Sequence, residues 1–170
     1  MQKTLKKSVK LNGEGLHSGE MVHLVLHPAA PHHGIIFKRT KQEGVLDTQN
    51  LIPATWDNVV DTRLCTVIAN EHGARVSTIE HLMAALRGLG IDNALIEIDG
   101  GEVPILDGSS IAFVKAIEEA GIEPQSAPRR AIKILKEVIY QDGARKVSLS
   151  PSAIPTYKGR IDYDNPSIGS

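Results

Sequence analysis

The stretch Ser77-Thr-Ile-Glu-His-Leu-Met-Ala-Ala-Leu-Arg-Gly-Leu-Gly90 constrains the fold more than any other part of the chain. Ile79, Leu82, Met83 and Leu86 recur at the spacing of one helical face, and Gly88 and Gly90 supply a stop. Ser77 followed three residues on by Glu80 predicts a capping box, in which the hydroxyl takes the Glu80 amide and the carboxylate reaches back to the Ser77 amide. A helix therefore starts here and turns its apolar stripe into a core. At about 100° per residue, His81 falls about 200° from Ile79, on the side of Ala84, Ala85 and Gly88. An imidazole there lies outside the core, where small neighbours let a second layer of protein approach. Taken alone, Glu80 is a cap and His81 a solvated residue, so any further role needs context.

That context is a series of strands. Thr4 to Leu11 is extended, Asn12-Gly-Glu-Gly-Leu-His-Ser-Gly19 is a glycine-punctuated turn, and Met21 to His27 alternates, which together predict a hairpin. A strand follows those glycines, so no helix amino terminus is available there to hold a phosphate. Gly34 to Arg39 reads as a third strand, Lys41 to Asn58 as polar and irregular, and Arg63 to Asn70 as an apolar strand delivering the chain to the helix. Ala94 to Asp99 alternates, and Val103 to Leu106 is short and extended. Asp107 caps a second helix, about Ile111 to Ala120, with Ile111, Val114 and Ile117 inward, Phe113 in support and Gly121 as its end. This order predicts an α+β fold, a two-layer sandwich of a mixed sheet packed on two helices. The first domain is expected over 1–123, and the proline-bracketed 124–130 is expected as a linker. Strands over 131–140, 146–150 and 157–163 then open a second domain within 131–170.

The second domain looks like the start of a repeat. Val147-Ser-Leu-Ser-Pro-Ser-Ala153 set under Leu24-Val-Leu-His-Pro-Ala-Ala30 brings leucine, proline and final alanine into step, about 120 residues apart. On this reading the chain holds the first of two related domains and only the first strands of the other. Tyr163 to Ser170 is then a truncation, and the uncovered apolar strand face needs a partner chain or the missing half.

Composition narrows the function. The 170 residues are 41% hydrophobic and 23% charged with a net charge of −1, and no basic tail or arginine-rich face offers an electrostatic footprint for nucleic acid. Aromatic residues at 4% also disfavour a base-stacking surface. One cysteine, Cys65, and no signal-peptide pattern are what a cytoplasmic chain shows, and no apolar run is long enough to cross a bilayer. Of the seven histidines, His23 and His27 share a strand face, but with no acidic or cysteine partner nearby in sequence a polar strand face explains them better than a metal site. His17, in the glycine turn, lines a cleft or is solvated. Cys65, in its apolar strand, reads as inert packing or a soft ligand.

Five segments in order carry a resemblance: Gly13-Glu-Gly-Leu-His-Ser-Gly19, Asp61-Thr-Arg-Leu-Cys-Thr66, Ser77-Thr-Ile-Glu-His81, Gly88-Leu-Gly-Ile-Asp-Asn93 and Glu102-Val-Pro-Ile-Leu-Asp-Gly-Ser109. As a set the chain resembles the zinc-dependent UDP-3-O-acyl-N-acetylglucosamine deacetylases, hydrolases of lipid A (lipopolysaccharide) biosynthesis in Gram-negative bacteria. The resemblance implies that His81 is one zinc ligand, that Glu80 is the general base, and that Leu16, His17 and Cys65 border the substrate passage. Zinc lowers the pKa of bound water to about 7, and a carboxylate next to the ligand can take its proton. A basic residue after the Asp142-Gly143 turn, Arg145 or Lys146, could meet the substrate's diphosphate.

A catalytic zinc takes about three protein ligands, and the family's other two, a histidine and an aspartate, come from the second domain's helix. Residues 1–170 are therefore expected to need the carboxyl-terminal domain or a complementary chain, and to be inactive alone. The competing expectation is a non-catalytic truncated relative, a binding or regulatory module.

Overall fold

Alternation along two strands sets the core. In β3 (Met21–Pro28) Val22, Leu24 and Leu26 are buried while Met21 and His23 are exposed, and in β9 (Ala94–Ile98) Ala94, Ile96 and Ile98 are buried while Leu95 and Glu97 are half-buried. The two strands pair antiparallel with Leu24 opposite Ile98 and Leu26 opposite Ile96, so the inward sets coincide. β2 (Val9–Glu14) forms the expected hairpin with β3. On the other side of β9, β4 (Ile35–Arg39) runs parallel to it, and β5 (Leu51–Pro53) runs antiparallel to β4. The sheet is thus mixed, in the order β2-β3-β9-β4-β5. A parallel neighbour requires a crossover, and the chain between β4 and β9 supplies it, carrying the first helix.

That helix, α1 (Glu80–Leu89), buries Leu82, Ala85 and Leu86, and α2 (Ile111–Ala120) buries Phe113, Ile117 and Ala120. These side chains and the inward strand residues, with Leu5, Phe37 and Ile52, form one continuous buried cluster. Each fully buried Leu, Ile or Phe contributes about 1.5–3 kcal/mol, so the cluster fixes which way each helix faces. Two helical faces differ from expectation. Ala85 is buried rather than outward, because it lies one turn from Leu82 on the buried side. Ile111 is 55% exposed, because Phe113, Ile117 and Ala120 define the buried stripe of α2. Gly90 ends α1 at φ 71°, a left-handed conformation in which its N–H reaches the Arg87 and Leu86 carbonyls.

Smaller pieces complete this unit. β1 (Lys3–Leu5) pairs with β10 (Ile122–Pro124), and β6 (Val59–Asp61), β7 (Val67–Ala69) and β8 (Arg75–Val76) make a separate antiparallel sheet. Of the expected strand Arg63 to Asn70 only β7 is strand, and Cys65 sits in the preceding bend. Of Lys41 to Asn58, Gln42, Glu43 and Val45 lie outside the described residues, and the rest is not wholly irregular, since it holds β5 and two short 3-10 turns, Asp47–Gln49 and Trp56–Asn58.

The computed structural model describes residues 1–41, 44, 46–161, 163, 165 and 167. The chain divides into units Met1–Arg129 and Arg130–Ser170. The stretch 124–129, expected within a linker, is bonded into the first unit: Gln125 Nε2 donates to the Ala29 carbonyl at 2.8 Å, and Arg129 clasps Asp92 through Nε and one terminal nitrogen, both at 2.7 Å. In the second unit, β11 (Val138–Asp142) and β12 (Arg145–Leu149) form an antiparallel hairpin turned at Gly143, and every residue of both strands is exposed. Residues 131–137 form no strand, nor do the described residues of 157–163. Asp162 in that expected strand, and Asp164, Pro166, Ile168, Gly169 and Ser170 in the expected truncation, lie outside the described residues. No helix among the described residues is long and apolar enough to cross a membrane.

Candidate active site

The approach to α1 is built differently from a capping box. The Ser77 N–H donates to the Gly101 carbonyl at 2.9 Å, its carbonyl accepts the Val103 N–H at 3.0 Å, and its hydroxyl donates to the Gly101 carbonyl at 3.1 Å. Ser77 is thereby committed to the 101–103 segment. Thr78 then turns through the left-handed region at φ 55°, which is unusual for a β-branched residue, and Ile79 occupies the helix cap without a side-chain bond. The Glu80 carboxylate, released from any capping duty, accepts the Thr66 N–H through Oε2 at 3.0 Å. Its other oxygen has no hydrogen-bond partner among the described residues. Glu80 and His81 are both half-buried. The His81 ring also has no hydrogen-bond partner among the described residues, while its backbone carbonyl accepts the Ser110 hydroxyl at 2.9 Å, fastening the start of α2 to the first turn of α1. Asp107 is not the direct cap expected of it. It accepts from Ser109, whose hydroxyl in turn takes the Ile111 N–H at 3.1 Å.

Beside this helix start lies a cavity of about 590 Å³ whose wall includes His17, Cys65, Ser77, Asp61, Arg63 and Arg75. Thr66, which holds Glu80, falls between two of the lining residues, Cys65 and Val67. His17 and Cys65 therefore border one space, while Thr66, Glu80 and His81 are not among its lining residues. Leu16, 58% exposed, is not among the lining residues. Cys65 is a half-buried free thiol. The Arg63 guanidinium grips Asp61 with bonds of 3.1 and 2.7 Å and holds its carboxyl well below the usual carboxylate range. One lining acid is thus kept ionised and already paired.

Two further features escaped sequence reasoning. Glu102 is buried at 3% exposure, yet its carboxylate accepts the Thr78 hydroxyl at 2.7 Å and the Ser18 and His17 amides at 2.9 and 3.1 Å. Burial pushes this carboxyl up, but those bonds outweigh it and hold it below the usual range. Its one signal is its place at the head of a motif. His23 and His27 do have acidic neighbours, from β9 and the residue after it: His23 Nδ1 lies 3.1 Å from Asp99 and His27 Nε2 lies 3.1 Å from Glu97. Lys41 and Lys38 pair with the same two acids. No group of three His, Cys, Asp or Glu among the described residues is placed to hold a metal.

Residues 2–170 match the model of the LpxC family, described as UDP-3-O-acyl N-acetylglycosamine deacetylase. The chain belongs to this family. Among LpxC-family relatives it is 46% identical over 168 residues to the UDP-3-O-acyl-N-acetylglucosamine deacetylase of Haemophilus influenzae strain PittEE, covering 99% of this chain and 54% of that protein. The deacetylase of the same name from Vibrio parahaemolyticus is 46% identical over 169 residues, with the same coverage. That of Idiomarina loihiensis is 46% identical over 167 residues, covering 98% of this chain and 53% of the relative. This LpxC-family chain therefore spans about half the length of the curated relatives it matches.

Proposed function

We propose that residues 1–170 form the amino-terminal portion of a zinc-dependent UDP-3-O-acyl-N-acetylglucosamine deacetylase, a cytoplasmic hydrolase of lipid A synthesis in a Gram-negative bacterium. The observation that carries this reading is the pairing of a half-tethered carboxylate, Glu80, with an imidazole, His81, that has no hydrogen-bond partner among the described residues, at a helix start beside the His17–Cys65 cavity. Relatives that bear the deacetylase name, 46% identical across nearly the whole chain, support it.

The described residues do not complete a zinc site, since a catalytic zinc takes three protein ligands and no such group is present among them. His81 is proposed as one ligand, with the remainder in the carboxyl-terminal half. Bound there, zinc would supply Lewis-acid polarisation of the acetamide carbonyl. The chain's own contribution is proton movement. Thr66 fixes Oε2 of Glu80, so Oε1 is the oxygen that accepts a proton as water attacks the acetamide carbon. Cleavage of the C–N bond releases acetate, and the same oxygen returns the proton to the departing glucosamine nitrogen. His17 and Cys65 border the passage by which the acylated sugar enters, and Leu16 lies at its outer edge.

The same proposal extends to architecture: a two-layer sandwich over 1–123, to which 124–129 is bonded, and a related second domain begun by 131–170. Leu26 and Leu149, matched in the sequence repeat, each lie in the second strand of an antiparallel hairpin, β2-β3 and β11-β12. The test measures zinc content and acetate release for residues 1–170 alone and joined to the carboxyl-terminal half of the Haemophilus influenzae relative. The joined protein is expected to hold one zinc and turn over, to lose turnover with Glu80→Ala, and to lose both zinc and turnover with His81→Ala. Turnover by residues 1–170 alone at the rate of a full-length relative, or zinc retained at full occupancy in His81→Ala, refutes the reading.

A further inference from the structure

We infer that Glu102 is a positioning residue of the proposed deacetylation site, its buried carboxylate anchoring both the turn that carries His17 and the bend that aims Glu80. The inference rests on the deacetylase reading for its kinetic consequence, but not for its geometry.

Two chain segments distant from it in sequence converge on this one side chain. From the glycine turn come the Ser18 N–H at 2.9 Å and the His17 N–H at 3.1 and 3.2 Å to the two oxygens. From the approach to α1 comes the Thr78 hydroxyl at 2.7 Å, in a fully buried bond. Glu102 itself is held in place by a bridge to Ser77. Gly15 makes room for the convergence: it is buried, and a side-chain carbon added there would run into the Glu102 carboxylate and the Ser18 hydroxyl. A buried carboxylate without a cation beside it is a costly way to join segments that apolar packing could join, and no Lys, Arg or His pairs with Glu102 among the described residues. What the carboxylate supplies, and packing does not, is two acceptor oxygens that take three donors in fixed directions.

Those directions matter because Thr78 steers the chain into α1. Its left-handed backbone at φ 55° is strained for a β-branched residue, and the hydroxyl bond to Glu102 holds it there. Two residues later Glu80 points its carboxylate to the Thr66 N–H at 3.0 Å, and Ile79 donates to the Thr66 carbonyl at 3.4 Å. Releasing Thr78 lets the first turn of α1 rotate about its entry and loosens the Glu80–Thr66 bond. Releasing His17 and Ser18 at the same time loosens the facing wall of the cavity. The expected outcome is a site that still binds substrate but presents its base less often in the reactive geometry, since small misplacements of a catalytic group cost rate steeply.

The test uses two readouts. In residues 1–170, amide hydrogen exchange at His17, Ser18 and Thr66 is followed by NMR for wild type and Glu102→Gln, which keeps the shape but replaces one acceptor oxygen with a donor. Exchange at all three is expected to accelerate at least tenfold while core amides such as that of Ile96 hold. In the joined enzyme, Glu102→Gln is expected to lower kcat by about 10- to 100-fold with KM changed less than threefold. Glu102→Asp should recover part of kcat, Thr78→Val should reproduce the loss, and Thr78→Ser should not. Thr66 protection unchanged in Glu102→Gln, or kcat per folded molecule within twofold of wild type, overturns the inference. Should Glu102→Gln fail to fold, Thr78→Val carries the same two readouts. A wild-type joined enzyme without turnover defeats the deacetylase reading alone, and Thr66 exchange still decides the anchor.

Discussion

Asn93 offers a sharp test of how the sheet is held. It is 1% exposed, and its side chain makes three bonds: Oδ1 accepts the Gly34 N–H at 2.8 Å, and Nδ2 donates to Gln2 Oε1 at 2.8 Å and Gln125 Oε1 at 2.7 Å. Its backbone carbonyl accepts the Thr4 hydroxyl at 2.7 Å. The residue thus pins the entry of β4 beside β9, where the parallel pairing begins with Ile35 opposite Ala94. Asn93→Ala orphans the Gly34 donor, at about 1–3 kcal/mol, and deprives two glutamine oxygens of a donor, at about 0.5–1 kcal/mol each. Gln2 Oε1 keeps the His32 N–H at 2.9 Å, so its loss lies at the low end. The sum is about 3 kcal/mol, a large share of the 5–15 kcal/mol typical of a domain, and on the order of 10 °C in Tm. Urea denaturation followed by far-UV circular dichroism gives the free energy, and amide exchange at Gly34 locates it. Asn93→Asp keeps the Gly34 acceptor but sets a carboxylate against two amide oxygens. It should be similarly unstable at pH 7 and regain part of the loss in acid, where the protonated form can donate. A loss under about 1 kcal/mol in Asn93→Ala, or exchange that rises no faster at Gly34 than at Ile52, refutes the reasoning.

Four other outcomes are expected from the same geometry. Burial raises the Asp99 carboxyl, but bonds from His23 and Lys41 outweigh it and lower it to about 2 from an ordinary 3.8; its contribution is present above about pH 4 and lost as pH falls towards 2, so Asp99→Asn should flatten the acid limb of a stability–pH curve. Gly100→Ala should cost about 1–3 kcal/mol, because the new methyl would fall inside the Val22 side chain, and an unchanged urea midpoint would contradict this. Phe113→Ala, emptying a fully buried ring site, should cost about 3–5 kcal/mol by the same assay. Glu80→Gln should leave thermal stability within a few degrees while cutting turnover of the joined enzyme by about 10²- to 10⁴-fold.

Where one period governed a segment, the sequence was legible. β3 and β9 alternate because one side of each strand enters the buried cluster, and α1 and α2 repeat at helical spacing because one stripe of each helix enters it. The sheet of β6, β7 and β8 was unreadable as three strands because each has only two or three residues, too few for a pattern to emerge. The capping box failed for a tertiary reason: Ser77 bonds to Gly101, so the local partner that the motif presupposes is already engaged. Glu80 and His81 stood out as residues, but that Glu80 would reach Thr66 depended on β7 folding back beside the helix start. Glu102 was the hardest to foresee. A glutamate ahead of a short extended run looks solvated until the turn at His17 and Ser18 closes over it.

The insertion of β9 between β3 and β4 also dictates an order of assembly. Both flanking strands leave the ribosome well before their shared neighbour, and each waits with an open edge of unpaired amides until residues 94–98 arrive. Slow synthesis through the intervening crossover should prolong that vulnerable interval, so chaperone demand and aggregation during expression are expected to be set by the late central strand, not by the helices that precede and follow it.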